Sequence, residues 1–178
     1  EEIGFKYNTY NIQFSVALFN RKSDDLIDWT KDNEADKWQT RNFSEVVSRG
    51  IETNFVHSFV LGNFNQKISL GYSFIDDDIQ DNNIQFTRYS LNSIKHQFTS
   101  ALDIKYSKML SQNIAYRFVE RTDGESYNVV DAKIFAAFKN GIELSLTANN
   151  IFNSEYTETN LVPMPKGNIM FGLKYSIY

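Results

Sequence analysis

Few side chains in this sequence have the chemistry of catalysis, and their spacing works against it. The two histidines, His57 and His96, stand 39 positions apart with no second ligand at metal spacing beside either. Cysteine is absent, which removes thiol nucleophiles, thiolate metal sites and disulfides together. No glycine-rich phosphate loop follows a strand and opens a helix. His96 shares the alternation of Ile94 and Phe98, a structural position. The chain reads as no enzyme, with no cofactor of its own. Two features point instead to binding. The run Asp76-Asp77-Asp78, with Asp81 close behind, offers hard carboxylate oxygens that suit calcium. It lacks the spacing of a calcium loop, and a solvated acidic loop tip is the competing reading. Trp29 and Trp38 flank the most charged stretch, Asp24 to Lys37. They suit either contact with a ligand at the mouth of the fold or anchorage of the loop's base.

Composition narrows the elements that must position these groups. The 178 residues, 20.7 kDa, make one domain or a piece of a larger one. Lys+Arg is 18 against Asp+Glu 22, a net charge of −4, which argues against a nucleic-acid partner. Aromatic residues reach 15%, with 15 Phe, 10 Tyr and 2 Trp. The longest apolar run is five residues, Ile134 to Phe138, too short for a membrane-spanning helix.

The hydrophobic period is two. Tyr10, Ile12, Phe14, Val16 and Leu18 alternate with Asn11, Gln13 and Ser15. Ile68, Leu70, Tyr72 and Phe74 repeat the pattern, as do Ile142, Leu144, Leu146 and Ala148. Successive strand side chains point to opposite faces, so each segment has one apolar and one polar face. The chain is all-β. Nine strands are expected near 2–7, 10–19, 37–58, 66–76, 88–106, 111–121, 127–138, 142–150 and 167–178. Tight turns fall at Asn8-Thr9, Leu61 to Asn65, Ser107 to Leu110 and Lys139-Asn140-Gly141, the last with favoured hairpin chemistry. Longer polar loops are expected at 20–36, 77–87, 122–126 and 151–166. Short and long connections thus fall on opposite ends of one antiparallel sheet, the architecture of an outer-membrane barrel.

The alternation itself admits two architectures. A small soluble barrel turns its apolar face inward around a ligand; a membrane barrel turns it outward to lipid and lines a wet lumen with the polar face. Asp103, Arg117, Asp131, Lys133 and Glu143 all share the polar parity. Tyr72, Phe74, Tyr116, Phe118, Phe138 and Tyr175 gather near strand ends on the apolar parity, as aromatic girdles do. In a nine-stranded antiparallel sheet the first and last strands run the same way and cannot close on each other, so two edges stay open unless further chain covers them. The expectation is part of a barrel.

Five segments, in order, resemble the carboxy-terminal end of TonB-dependent outer-membrane receptors. Glu2-Ile3-Gly4-Phe5-Lys6 resembles the family's E-x-G-x-K strand. Phe19 leading to Asp24-Asp25-Leu26-Ile27 is similar to its F-x-x-x-x-D-D-L-I entry to an extracellular loop, and Asn42 with Gly50-Ile51-Glu52 to its descending strand. Asn149-Asn150-Ile151-Phe152-Asn153-Ser154-Glu155-Tyr156 is similar to the N-L-F-[DN]-x-x-Y signature, and Gly172-Leu173-Lys174-Tyr175-Ser176-Ile177 to the closing strand. Two places depart from the family pattern: Ile177 stands where an aromatic usually does, and Pro165-Lys166-Gly167 replaces P-G-R.

The resemblance implies an antiparallel, up-and-down transmembrane β-barrel segment, roughly the last nine strands of a 22-stranded barrel. Residues 1–178 would be the carboxy-terminal part of the barrel domain, with the plug domain outside them. The implied location is the bacterial outer membrane. The implied activity is TonB-energised uptake of a scarce bulky nutrient such as cobalamin or an iron–siderophore. The implied partners are outer-membrane lipid, the rest of the barrel and its plug, TonB through that plug, and the nutrient. Two other classes stay open from the residues alone: a soluble carrier of a small apolar ligand, and a structural outer-membrane protein. Gly50 and Gly172 suit a bulge or close backbone approach. Asn150 and Asn153 suit a turn where a strand leaves the sheet.

Overall fold

The computed structural model describes residues 1–79, 86–87, 93–158 and 162–176. The elements are β1 (Glu2–Asn8), β2 (Ile12–Lys31), β3 (Gln39–Leu61), β4 (Phe64–Ile79), β5 (Phe86–Thr87), β6 (Ile94–Lys105), β7 (Leu110–Arg121), β8 (Ser126–Ala137), β9 (Ile142–Asn149) and β10 (Asn168–Tyr175). All belong to one sheet, ordered β1-β2-β3-β4-β6-β7-β8-β9-β10, with β5 paired separately to β2. Every pairing is antiparallel and joins sequence neighbours, apart from that of β5. This is the all-β, up-and-down sheet that the alternation predicts.

Register carries the alternation across the sheet. Residues opposite one another share a face, so Phe55, Leu70 and Ser100 form one row, continued by Tyr116 and Val130. The neighbouring row, Asn54, Gly71, Thr99, Arg117 and Val129, lies on the other face. The turns close as their chemistry asks. Gly62, Gly124 and Gly141 take φ of 64°, 86° and 80°, the left-handed region that costs glycine nothing. At Gly50 an added Cβ would run into the Phe74 carbonyl and the Phe19 ring. Close approach, not a turn, is what requires glycine there.

The burial pattern inverts that of a soluble β-protein. Ile3, Phe5, Leu18, Phe171 and Leu173, all on the apolar face, are 51–72% exposed. Among the described residues, the buried hydrophobic side chains are Val46, Val119 and Val129, and the registers put all three on the polar face. The apolar face therefore has no protein partner within this sheet. Its rings gather at two levels. Toward the short turns, Phe5 packs on Phe14, and His57 stacks between Phe55 and Phe59 with centroids 6.3 and 5.5 Å away. Toward the long connections, Phe74 lies 4.9 Å from His96, and Tyr72 shares a 2.9 Å hydrogen bond with His96 Nδ1. His57 Nδ1 donates to the Asn11 carbonyl at 3.1 Å. Both histidines are structural members of these aromatic rows.

Two sequence expectations need correction. Residues 20–31 are strand, not loop: β2 runs to Lys31 and stays paired with β3 as far as Thr30↔Gln39. The stretch Arg21 to Asp25 is polar on both faces, so alternation is blind to it, and pairing with β3 holds it extended. Of the strand expected over 88–106, the described part is β6, Ile94–Lys105; residues 88–92 lie outside the described residues. The connection at 122–125 is a short turn in which Gly124 N–H donates to the Arg121 carbonyl.

Leu70→Arg on the apolar face is expected to cost about 2–4 kcal/mol of insertion into a bilayer, with Ser69→Arg on the polar face costing far less. Heat-modified mobility of the outer-membrane form on gels reads the difference. Equal losses would reverse the assignment of the faces.

Candidate functional site

The long connections end the sheet on one side, and two of them build structure there. The first is the β2–β3 hairpin. β1 pairs with β2 only as far as Phe19, so Asn20 to Lys31 stand beyond it, about 40 Å of strand. The tip is fastened by charge: Arg41 Nη1 and Nη2 donate to both carboxylate oxygens of Asp32 at 2.8 and 2.6 Å. This bidentate geometry holds the Asp32 carboxyl below the usual carboxylate value of 3.8, the Arg41 hydrogen bonds being the main cause. Trp29 is exposed on β2, and Trp38 sits under the Lys31 ammonium, 5.2 Å from its ring centre. Both indoles thus belong to the hairpin's outer end. On the remaining edge of β2, β5 pairs through Thr30↔Thr87 and Lys31↔Phe86. Asp28 and Thr30 are buried here.

The acidic run lies along β4 instead of on a loop tip. Asp76 is opposite Arg49, Asp77 opposite Ser48 and Asp78 opposite Val47. Alternation sends Asp77 to the face opposite that of Asp76 and Asp78, and Asp77 Oδ2 accepts from Ser93 Oγ at 2.8 Å. Asp81 lies outside the described residues. Among the described residues no group of three or more acidic or imidazole side chains converges as a metal site.

The second structure is the connection between β9 and β10, and it folds onto the polar face of β7 and β8. Its base is a hydrogen-bonded knot around Asn150, which is buried and has φ of 48°. Asparagine accepts this left-handed backbone better than most residues. The Asn150 N–H donates to Asp131 Oδ1 at 2.7 Å, and its Nδ2 donates to the Ser154 carbonyl at 2.8 Å. Ser154 N–H returns a bond to Asn150 Oδ1, and Gly167 N–H donates to Asn153 Oδ1. The N-N-I-F-N segment is thus a turn written in asparagine chemistry, as expected.

Beyond the knot, the chain meets the wall again. Tyr156 stacks on Tyr127 with centroids 4.6 Å apart. Glu158 pairs with Arg117 at 2.9 Å, and the Arg117 guanidinium lies 6.0 and 5.8 Å from the two tyrosine rings. Arg121 Nη2 donates to the carbonyls of Thr157 and Glu158. Between Arg117 and Tyr127 in the registers lie Val119 and Val129, 1% and 4% exposed. The loop therefore covers a small apolar floor flanked by a cation and a ring. On its other side Arg117 borders an open hollow lined by Gly71, Thr99, Ala101, Ala115 and Asp131. Sequence reading placed Arg117 on the polar parity and Tyr156 in a motif, but only register brings Tyr127 and Glu158 to them.

An open antiparallel sheet with its apolar face unpartnered, girdled by rings and carrying its built structure at one end, is membrane-barrel wall. Residues 2–151 match the family described as TonB dependent receptor-like, beta-barrel, and the chain belongs to that family. The location that follows is the outer membrane, and the soluble-carrier reading of the alternation falls away. No match is found among curated proteins. Among solved structures, the siderophore receptor PiuA from Acinetobacter baumannii is similar with TM-score 0.75 and 15% identity, over 98% of this chain and 28% of that one. The ferric-catecholate import receptor Fiu from K12 E. coli gives 0.71 and 16%, over 98% and 27%. The FrpB iron transporter from Neisseria meningitidis gives 0.65 and 17%, over 98% and 30%. At these identities the likeness is one of fold, and the chain spans less than a third of the length of each. None of these is an enzyme by its description.

Two outcomes test the site's construction. Asn150→Ala is expected to cost about 1–3 kcal/mol, the range for leaving buried hydrogen-bonding groups unpaired, and to expose 151–158 to protease before the sheet melts. Asp32 has a depressed pKa, so its pairing with Arg41 is present above 3.8 and is lost as pH falls through its lower folded value. Pepsin clipping of the hairpin tip should rise steeply only in that acid range. Arg41→Gln should remove the step.

Proposed function

We propose that the chain forms the carboxy-terminal barrel wall of a receptor that imports a scarce, bulky nutrient across the outer membrane. The observation that carries this reading is the two-faced sheet: an apolar face with no protein partner, and a polar face that the β9–β10 connection folds back to cover. An energy-driven importer needs such a wall, rigid toward lipid and wet toward the cargo. Membership in the TonB-dependent receptor family supplies the energy source, through TonB acting on a plug domain that lies outside residues 1–178. The cargo we favour is an iron–siderophore, since receptors for such chelates share this fold; cobalamin, the other candidate from the sequence, has no counterpart among the three similar structures. In this reading the β2–β3 hairpin, with Trp29 and Trp38 at its outer end, stands on the extracellular side and meets the cargo first. For the acidic run Asp76-Asp77-Asp78, with Asp81 close behind, a solvated acidic segment is favoured over a calcium site, since alternation parts Asp77 from Asp76 and Asp78; calcium-dependent protection of that segment from protease would reverse this.

Uptake of radio-iron carried by siderophores, compared between cells with and without the full protein, tests the reading directly. Uptake should fall on deletion and on collapse of the proton-motive force. Unchanged uptake of every chelate, together with unchanged uptake of cobalamin, would overturn it. A tag inserted beside Asp32 should be labelled on intact cells; labelling only after lysis would invert the hairpin's side.

A further inference from the structure

The β9–β10 connection is held to the wall in two different ways, and the difference is informative. Around Asn150 it is knotted through backbone N–H and carbonyl groups. Around Tyr156 it is held by side chains a ligand can imitate: a phenol ring on Tyr127, and a carboxylate on Arg117. Both Arg117 and Glu158 keep about a third of their side-chain surface exposed, so the ion pair is within reach of water and solutes. Beneath them lies the apolar floor of Val119 and Val129, and beside Arg117 opens the small-residue hollow. A patch with an apolar floor, one cation and one aromatic wall has the makings of a binding site. Here the protein's own chain fills it.

We propose that Arg117, Val119, Tyr127 and Val129 form a wall subsite for an anionic group borne on a flat ring, and that the Tyr156–Glu158 segment is its built-in, displaceable occupant. The two groups are of matching kind. Glu158 supplies the anion and Tyr156 the ring, with the Arg117 guanidinium 2.9 Å from the one and 5.8 Å from the centre of the other, and a hydroxybenzoate or related acid carries both groups in one molecule. Arg121, which donates to the Thr157 and Glu158 carbonyls, is the positioning residue that keeps the segment over the patch. The inference rests on the receptor reading for why such a ligand would pass this wall, though occupancy of the patch is measured without transport.

A nitroxide on Val162→Cys, an exposed position beside the segment, reports its freedom in the full protein in detergent, and residues 1–178 contain no other cysteine. The spectrum should be broad in the parent and sharpen in Glu158→Gln and in Tyr156→Ala. Millimolar 4-hydroxybenzoate should sharpen the parent in the same way, while the uncharged 4-hydroxybenzyl alcohol should not. Arg117→Gln should show the sharp spectrum from the start and no further response. A broad spectrum in both loop variants would overturn the displaceable occupant. Equal response to both probes, or to neither, would overturn the anionic subsite. Loss of siderophore uptake with no probe response in the parent would sink the subsite and leave the receptor reading standing; a probe response with no uptake phenotype would do the reverse.

Discussion

In hydrocarbon, a backbone N–H or carbonyl without a partner costs several kcal/mol, and no water is present to relieve it. The rest of this structure follows from satisfying that demand by strand pairing alone. Eight successive antiparallel pairings bind β1 through β10, with β5 set aside, and among the described residues one register shift, between Ile94 and His96, interrupts them. Because the ladder holds the strands together, the side chains need not form a core. That is why Phe171 and Leu173 stand bare on one face while serine, glycine and alanine suffice along much of the other. A soluble sheet with this surface would collapse or aggregate.

The two faces then divide the labour. The apolar face carries rings where the bilayer changes from hydrocarbon to headgroup, and even its histidines are absorbed into those rows. The polar face carries ions in cross-strand pairs such as Lys67 with Asp103 at 2.9 Å and Lys174 with Glu143 at 3.2 Å. Such exposed pairs add little stability each. Their larger effect is to keep charge on the wet side and so fix which way round the sheet inserts.

What the sequence made legible follows the physics of each element. Where one face meets lipid and the other water, as at Ile68 to Phe74 and Ile142 to Ala148, alternation is written residue by residue and can be read directly. Where both faces meet water, as at Arg21 to Asp25, nothing constrains polarity and the strand is invisible until its partner is known. The asparagine knot was legible because left-handed backbone restricts residue choice at Asn150 and Asn153. The patch beneath Tyr156 was not. Arg117, Tyr127 and Glu158 are 10 and 31 positions apart, and only the β7–β8 register and the loop's return bring them together. The acidic run shows the same limit from the other side: consecutive in sequence, its carboxylates are divided by the pleat.

The pairing of β5 with β2 has a mechanical meaning. β4 stays paired to β3 as far as Val46↔Ile79, so the two-stranded part of the arm runs from Asp24 to Lys31, about 26 Å, and by itself it would swing at its root. Here β5 lies along the arm's other edge and grips it at Thr30 and Lys31, next to the Lys31–Trp38 contact and the Arg41–Asp32 fork. The arm and its stay form a braced truss, in which a load applied at either is borne by both. Whatever first touches the hairpin is therefore felt at β5 as well.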